Sequence, residues 1–189
     1  MLISKFDNTD IEINIREFEK KYKFKFPIQY RNFLFKYNGG ETPDTDFRIS
    51  KISSDIIGFY GLGNVDESYN YSFFESFGGL SNFLNDFVIP VATNVCGDYI
   101  IIGIGNENNG IMYFYYHDEP KKYIKLTDDF LDFVSRCKSK MLGHIPTIEE
   151  RLERVKKNGN FDEIDNDIIE LWQAEIDKYG NMKQETVVL

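Results

Sequence analysis

Tyr30, Phe33, Leu34 and Tyr37 recur at i, i+3, i+4 and i+7, placing four large side chains on one face of a short helix. Pro27 suits the first turn of that helix, because its φ is already near the helical value and it has no N–H to leave unsatisfied. Asn38-Gly39-Gly40 stops it, since Asn and Gly tolerate the left-handed conformation of a helix C-terminus. Upstream, Ile11, Ile15, Phe18 and Tyr22 repeat at the same spacing behind Thr9-Asp10-Ile11-Glu12, a capping-box pattern, so a first helix is expected from about Asp10 to Tyr22. The two helices are joined by Lys23-Phe24-Lys25-Phe26.

After Gly40 the pattern changes. Glu41 to Asp46, with Pro43 inside it, reads as a polar loop, and Arg48 to Ile52 alternates like a strand. Asp55 to Tyr60 is a second strand, and Asp66 is expected to cap a third helix carrying Tyr69, Phe73 and Phe77, ended by Gly78-Gly79. Phe87 to Ala92 forms an apolar strand whose Pro90 fits best at an edge or a bulge. Asp98 to Ile104 is β-branched on both faces, as in a central strand covered on both sides. Gly105 to Gly110 turns the chain, Ile111 to His117 returns, and Lys122 to Leu126 adds an edge strand. Thr127 is the expected N-cap of a helix whose stripe is Phe130, Val134, Cys137 and Met141. Thr147-Ile148-Glu149-Glu150 is a further capping box for a helix to about Lys157. A last helix, opened by Asp162, lines up Ile164, Ile168, Leu171, Trp172 and Ile176, and residues 180–189 read as frayed. These elements predict one main domain of helices and strands over residues 1–140 and a helical extension over 141–189.

Charge divides unevenly along this pattern. The chain carries a net −9 overall, yet residues 41–120 hold only Arg48 and Lys51 as bases among many acids. Nucleic-acid binding needs a basic footprint, so direct DNA or RNA binding is not expected, whereas a basic protein partner suits an acidic middle segment. No membrane span of about 18 apolar residues and no signal peptide is present, and Cys96 and Cys137 form neither a CxxC pair nor a metal spacing. A cytoplasmic location with both thiols free follows as the expectation.

Candidate chemistry is sparse. His117 and His144 are not spaced as a helical metal pair, there is no G-x-S-x-G elbow and no P-loop, and Gly61-x-Gly63 and Gly103-x-Gly105 are fragments of a dinucleotide fingerprint that read better as turns. Carboxylate pairs such as Asp44 with Asp46, or Asp118 with Glu119, could hold a divalent cation or do acid–base work, but such pairs are common on acidic loops. Neither a catalytic residue, a cofactor nor a metal ligand is assigned.

The order of motifs is more specific than any one of them. Phe18-Glu19-x-x-Tyr22 leads into Phe26-Pro27-x-x-Tyr30-x-x-Phe33-Leu34-x-x-Tyr37-Asn38-Gly39-Gly40. Ile89-Pro90-Val91-Ala92 follows, then Cys96-Gly97-Asp98-Tyr99-Ile100, then Gly110 to Asp118, and finally Leu126-Thr127-x-Asp129-Phe130-Leu131-x-Phe133. In this order, over about residues 10 to 140, the chain resembles the SUKH superfamily, which includes bacterial immunity proteins and fungal cell-wall-assembly regulators. The resemblance implies an α+β domain with an antiparallel sheet flanked by helices, no enzymatic activity and, for many bacterial members, neutralisation of a cognate toxin that is often a nuclease. An acidic surface fits a basic toxin of that kind. Contact candidates are Glu41, Asp44 and Asp46, then Asp66 and Glu67, and Asp98 and Asp118 beside the sheet, with Tyr69, Tyr71 and Phe74 as candidate aromatic anchors. Asp98 has a competing role as a residue that bonds to backbone at the start of a strand. Alternatives are a regulatory or scaffold domain without a toxin and a metal-dependent enzyme using the acidic loops. Homodimerisation through the last helix is a further expectation.

Overall fold

In a computed structural model, residues 1–63, 65, 80–119, 122–159, 164–180 and 182–189 are described. The candidate contacts Asp66 and Glu67, the rings of Tyr69, Tyr71 and Phe74 and the expected helix of Tyr69, Phe73 and Phe77 lie outside them, as does Asp162. Chain contacts divide the protein into two compact units, Met1–Lys140 with Gln184–Leu189, and Met141–Lys183.

The first unit is α+β. Its elements are β1 (Leu2–Lys5), α1 (Ile11–Tyr22), α2 (Ile28–Tyr37), β2 (Gly40–Ile49), β3 (Ile52–Phe59), α3 (Leu80–Asn85), β4 (Val88–Thr93), β5 (Tyr99–Gly103), β6 (Met112–Tyr115), β7 (Tyr123–Thr127), α4 (Phe130–Arg136), β8 (Cys137–Ser139) and β9 (Glu185–Thr186). One antiparallel sheet runs β7-β6-β5-β4-β3-β2-β1-β9, with β8 added to β2. Consecutive strands are neighbours from β1 to β7; β2–β3 and the run β4 to β7 are joined by short connections, whereas α1 and α2 lie between β1 and β2 and α3 between β3 and β4.

Helices α1, α2 and α4 supply the core on one face. Tyr30, Phe33, Leu34 and Tyr37 are all buried, as the spacing predicts, and the ring of Phe130 from α4 meets those of Tyr30 and Phe33, each at 5.2 Å between centroids. Ile100 and Ile102 of β5 point into the same core, while Ile101 is buried outside it, so β5 is covered on both faces. On that second side Phe83 of α3 stands edge-on to Tyr115 and Tyr99.

The corner between α1 and α2 explains Glu19. Its buried carboxylate accepts the Phe26 N–H at 3.2 Å and forms ion pairs with Lys25 at 2.5 Å and Arg31 at 3.4 Å, which ties the end of one helix to the start of the next. Asn38 does more than end α2. At φ 52° its amide bridges Asp7 and Leu62, donating to both carbonyls and accepting the Leu62 N–H at 2.8 Å. The glycines beyond it serve close approach as well as turning: a Cβ at Gly40, which has φ +143°, would fall 2.4 Å from the Ser4 carbonyl oxygen.

Several expectations are corrected. Glu41 to Asp46 is strand, not loop. The Thr42 hydroxyl donates to Ile56 O and that of Thr45 to Pro43 O, so polar side chains are satisfied inside the sheet, and Pro43 sits where the register shifts between Glu41 and Thr45. Arg48 to Ile52 is a hairpin turn at Ser50-Lys51, with Ser50 at φ 56°. Thr9 does not cap α1: it donates both N–H and hydroxyl to Asp7, while Glu12 pairs with Arg16. Pro27 is the N-cap of α2 and not its first residue. Asp129, not Thr127, caps α4 by accepting the Asp132 N–H at 2.9 Å, and the helix ends at Arg136, leaving Cys137 buried in β8 and Met141 exposed. Residues Gln184–Leu189 are ordered against the sheet. Leu2 pairs with Thr186 and Ile3 with Glu185, and the Tyr37 hydroxyl accepts the Val188 N–H at 2.9 Å. Pairing there satisfies the outer edge of β1, which among the described residues no other strand covers.

The second unit holds α5 (Ile148–Asn158) and α6 (Asn166–Tyr179). Thr147 and Glu150 form the expected capping box and Gly159 closes α5 at φ 80°. Asp165 caps α6 by accepting the Ile168 N–H at 2.9 Å. Among the described residues, no helix is long and apolar enough to cross a membrane.

Candidate partner-binding surface

The hairpin turn at Ser50-Lys51 fixes the register that builds this surface. It sets Asp46 on β2 directly opposite Asp55 on β3, and residues directly opposite share a sheet face. Lys138 of β8 is the partner of Asp46 on the other side. Asp55 in turn accepts the Val95 N–H at 3.1 Å, which holds the β4–β5 turn beside β3. Val95, at that turn, is 72% exposed, and Cys96 next to it is exposed.

Behind the turn lies a polar clasp. Asn94 donates to Ser54 Oγ at 3.0 Å and to Asp98 Oδ2 at 3.2 Å, and accepts the Asp98 N–H at 2.8 Å. The other Asp98 oxygen, Oδ1, accepts the His117 N–H at 3.1 Å and lies 2.8 Å from His117 Nδ1. Asp118 follows, exposed. Asp46, Asp55, Asp98 and Asp118 thus lie in series across β2, β3, the β4–β5 turn and the end of β6, with Val95 and Cys96 among them.

The remaining candidates fall elsewhere. Glu41 is buried where β2 pairs with Ser4 of β1 and Gly58 of β3. Asp44 is exposed at the bulge, 3.3 Å from Lys140, an exposed pair of small energetic weight. Asp98 is buried by the clasp, so the bonding role at the strand start is the one its geometry displays. Asp55 and Val95 were not among the sequence candidates. Asp55 follows Ser53 and Ser54 in β3, and only the position of the hairpin turn aligns it with Asp46.

Among the described residues, Asp98, His117 and Asp118 form a group whose ligand atoms lie within 4.8 Å of one another, a nitrogen and two carboxylates that could take a metal. Both oxygens of the Asp98 carboxylate are, however, already bonded without an ion, by Asn94 and by the two nitrogens of His117 that face it. Its titration reflects this clasp. Burial pushes the Asp98 carboxyl up, but the hydrogen bonds from the His117 side chain and backbone and from Asn94 outweigh it and hold the group below the ordinary carboxylate value. A depressed folded-state value stabilises the fold above the unfolded value, near 3.9, and that stability is lost as pH falls through the folded value. Thermal melts of the native chain are therefore expected to keep this contribution from pH 7 to about 5 and to lose it below about pH 4. The Asp98→Asn chain should lack that segment of the pH dependence, and an unchanged profile below pH 4 would contradict the clasp.

Residues 12–136 match the family model described as SMI1/KNR4 family (SUKH-1). The chain belongs to the SMI1/KNR4 family. The matched span begins at Glu12 in α1, includes Glu19, Asn38 and the Asp98–His117 clasp, and ends at Arg136, the last residue of α4. The SUKH resemblance and the α+β architecture read from the sequence both stand. No curated protein matches this SMI1/KNR4 chain.

Proposed function

We propose that this protein is a non-enzymatic binding module of the immunity type, which neutralises a cognate bacterial toxin, a basic nuclease, by covering it. Membership of the SMI1/KNR4 family supports a protein that works by binding another protein, since toxin immunity is frequent among SUKH domains. The single observation that carries the polarity of the partner is the pair of carboxylates Asp46 and Asp55, directly opposite on neighbouring strands, with Asp55 holding the exposed Val95 turn; Asp118 adds a further exposed carboxylate beside the clasp. Carboxylates beside an apolar spot attract cationic side chains while the spot excludes water. No catalytic residue, cofactor or metal is part of this reading, and it places the protein in the cytoplasm with its target.

The test is co-purification with the toxin domain encoded beside this chain, together with rescue of cells expressing that domain. A stable complex with rescue supports immunity. Neither complex nor rescue moves the reading to a regulatory or scaffold role. Within a complex, Asp46→Lys combined with Asp118→Lys is expected to weaken binding about tenfold or more and to flatten the salt dependence of association, with the melting temperature of the free chain unchanged. Equal reversals at Asp44, whose charge already faces Lys140, should matter less. If the Asp44 variant is the more damaging, the contact surface lies elsewhere.

A further inference from the structure

No residue of α5 or α6 is buried, although both helices carry apolar stripes. Ile148, Leu152 and Val155 on α5 and Ile168, Trp172 and Ile176 on α6 remain partly exposed, and Leu171 is 70% exposed. The two helices contact each other, and Arg151 bonds Glu175 at 2.8 Å while lying over the Trp172 ring. The single interface within the hairpin leaves both stripes partly exposed, and a third and fourth helix complete such a core.

The charges specify what those helices are. From Arg151 onward α5 carries Arg151, Arg154, Lys156 and Lys157 against Glu153 alone, whereas α6 carries Asp167, Glu170, Glu175 and Asp177 against Lys178 alone. A basic partner would match α6 and repel α5, and an acidic partner the reverse. A second copy matches both, because a two-fold arrangement sets α5 of each chain beside α6 of the other. We infer that the α5–α6 hairpin is a homodimer interface, closing as a four-helix bundle around Leu152, Val155, Trp172 and Ile176 with the Arg151–Glu175 type of pairing repeated between chains. The pairing is independent of whether the acidic sheet surface binds a toxin.

The experiment is light scattering and sedimentation of the full chain at micromolar concentration, with twice 22.2 kDa expected. Two charge-reversed forms sharpen it. Arg154→Glu with Lys157→Glu gives the hairpin a stronger net negative charge, and Asp167→Lys with Glu170→Lys gives it a net positive one. Each form alone should be monomeric, with its dissociation constant raised about tenfold or more, and the two mixed should form a heterodimer. Circular dichroism checks that both remain helical. A monomeric native chain overturns the inference, as does a reversed form that dimerises alone, or a mixture of monomeric forms that does not pair.

Discussion

Replacing Phe130 with alanine is expected to destabilise the first unit by about 3–5 kcal/mol, a large share of the 5–15 kcal/mol typical of a whole domain. The ring is fully buried and is the point where helix meets sheet: it touches Tyr30 and Phe33 of α2 at 5.2 Å and stands edge-on to Phe59 of β3 at 6.1 Å. Removing it deletes contacts with two elements at once, α2 and β3, and leaves a cavity between rigid aromatic walls. For a unit of this size the melting temperature should fall by about 8–16 °C. Phe35→Ala, on the solvent side of α2, is the control, and should stay within about 0.5 kcal/mol. Differential scanning calorimetry decides the matter, and a loss below about 1 kcal/mol at Phe130 would mean that α4 is not packed as described.

Asn38→Leu should be almost as damaging, although it removes no apolar contact. The substitution strands the buried Leu62 N–H and carbonyl, each costing about 1–3 kcal/mol, removes the bond to the part-buried Asp7 carbonyl, and puts a larger side chain into a left-handed conformation. A total of about 3 kcal/mol or more is expected by urea denaturation. Asn38→Asp should fall between, because its carboxylate still accepts the Leu62 N–H but cannot donate to the two carbonyls. Were Asp no worse than Asn, the bridging role assigned to the amide nitrogen would be wrong.

These two residues also mark how far the sequence could be read. Phe130 belongs to a periodic stripe, and periodicity survives without tertiary information. The same holds for α2, for the doubly covered β5 and for the α5 capping box, whose signals are all local. Asn38 was legible as a helix stop but not as a bridge, because Asp7 and Leu62 come to it from 31 and 24 residues away. β2 was hidden for a related reason: Thr42, Pro43 and Thr45 carry loop chemistry, and only a bulge together with bonds to Ile56 and Pro43 makes them strand. The caps at Thr9 and Thr127 failed at short range, where an aspartate two residues away made the better bonds. At the acidic surface, charge was visible and register was not. Asp46 and Asp118 were found from composition, Asp55 needed the turn at Ser50-Lys51, and the burial of Glu41 and Asp98 depended on which strands lie beside them.

The placement of the two cysteines gives the protein a built-in reporter. Cys137 is buried in β8, and burial pushes its thiol up to about 12, so at neutral pH it offers almost no thiolate to an alkylating dye. Cys96 is exposed in the β4–β5 turn, between Val95 and the clasp. A maleimide fluorophore should therefore attach at one position in the unmutated chain, in the turn that Asp55 holds. A partner that covers this turn will quench or shift that dye as it binds, and one that docks elsewhere will leave it silent.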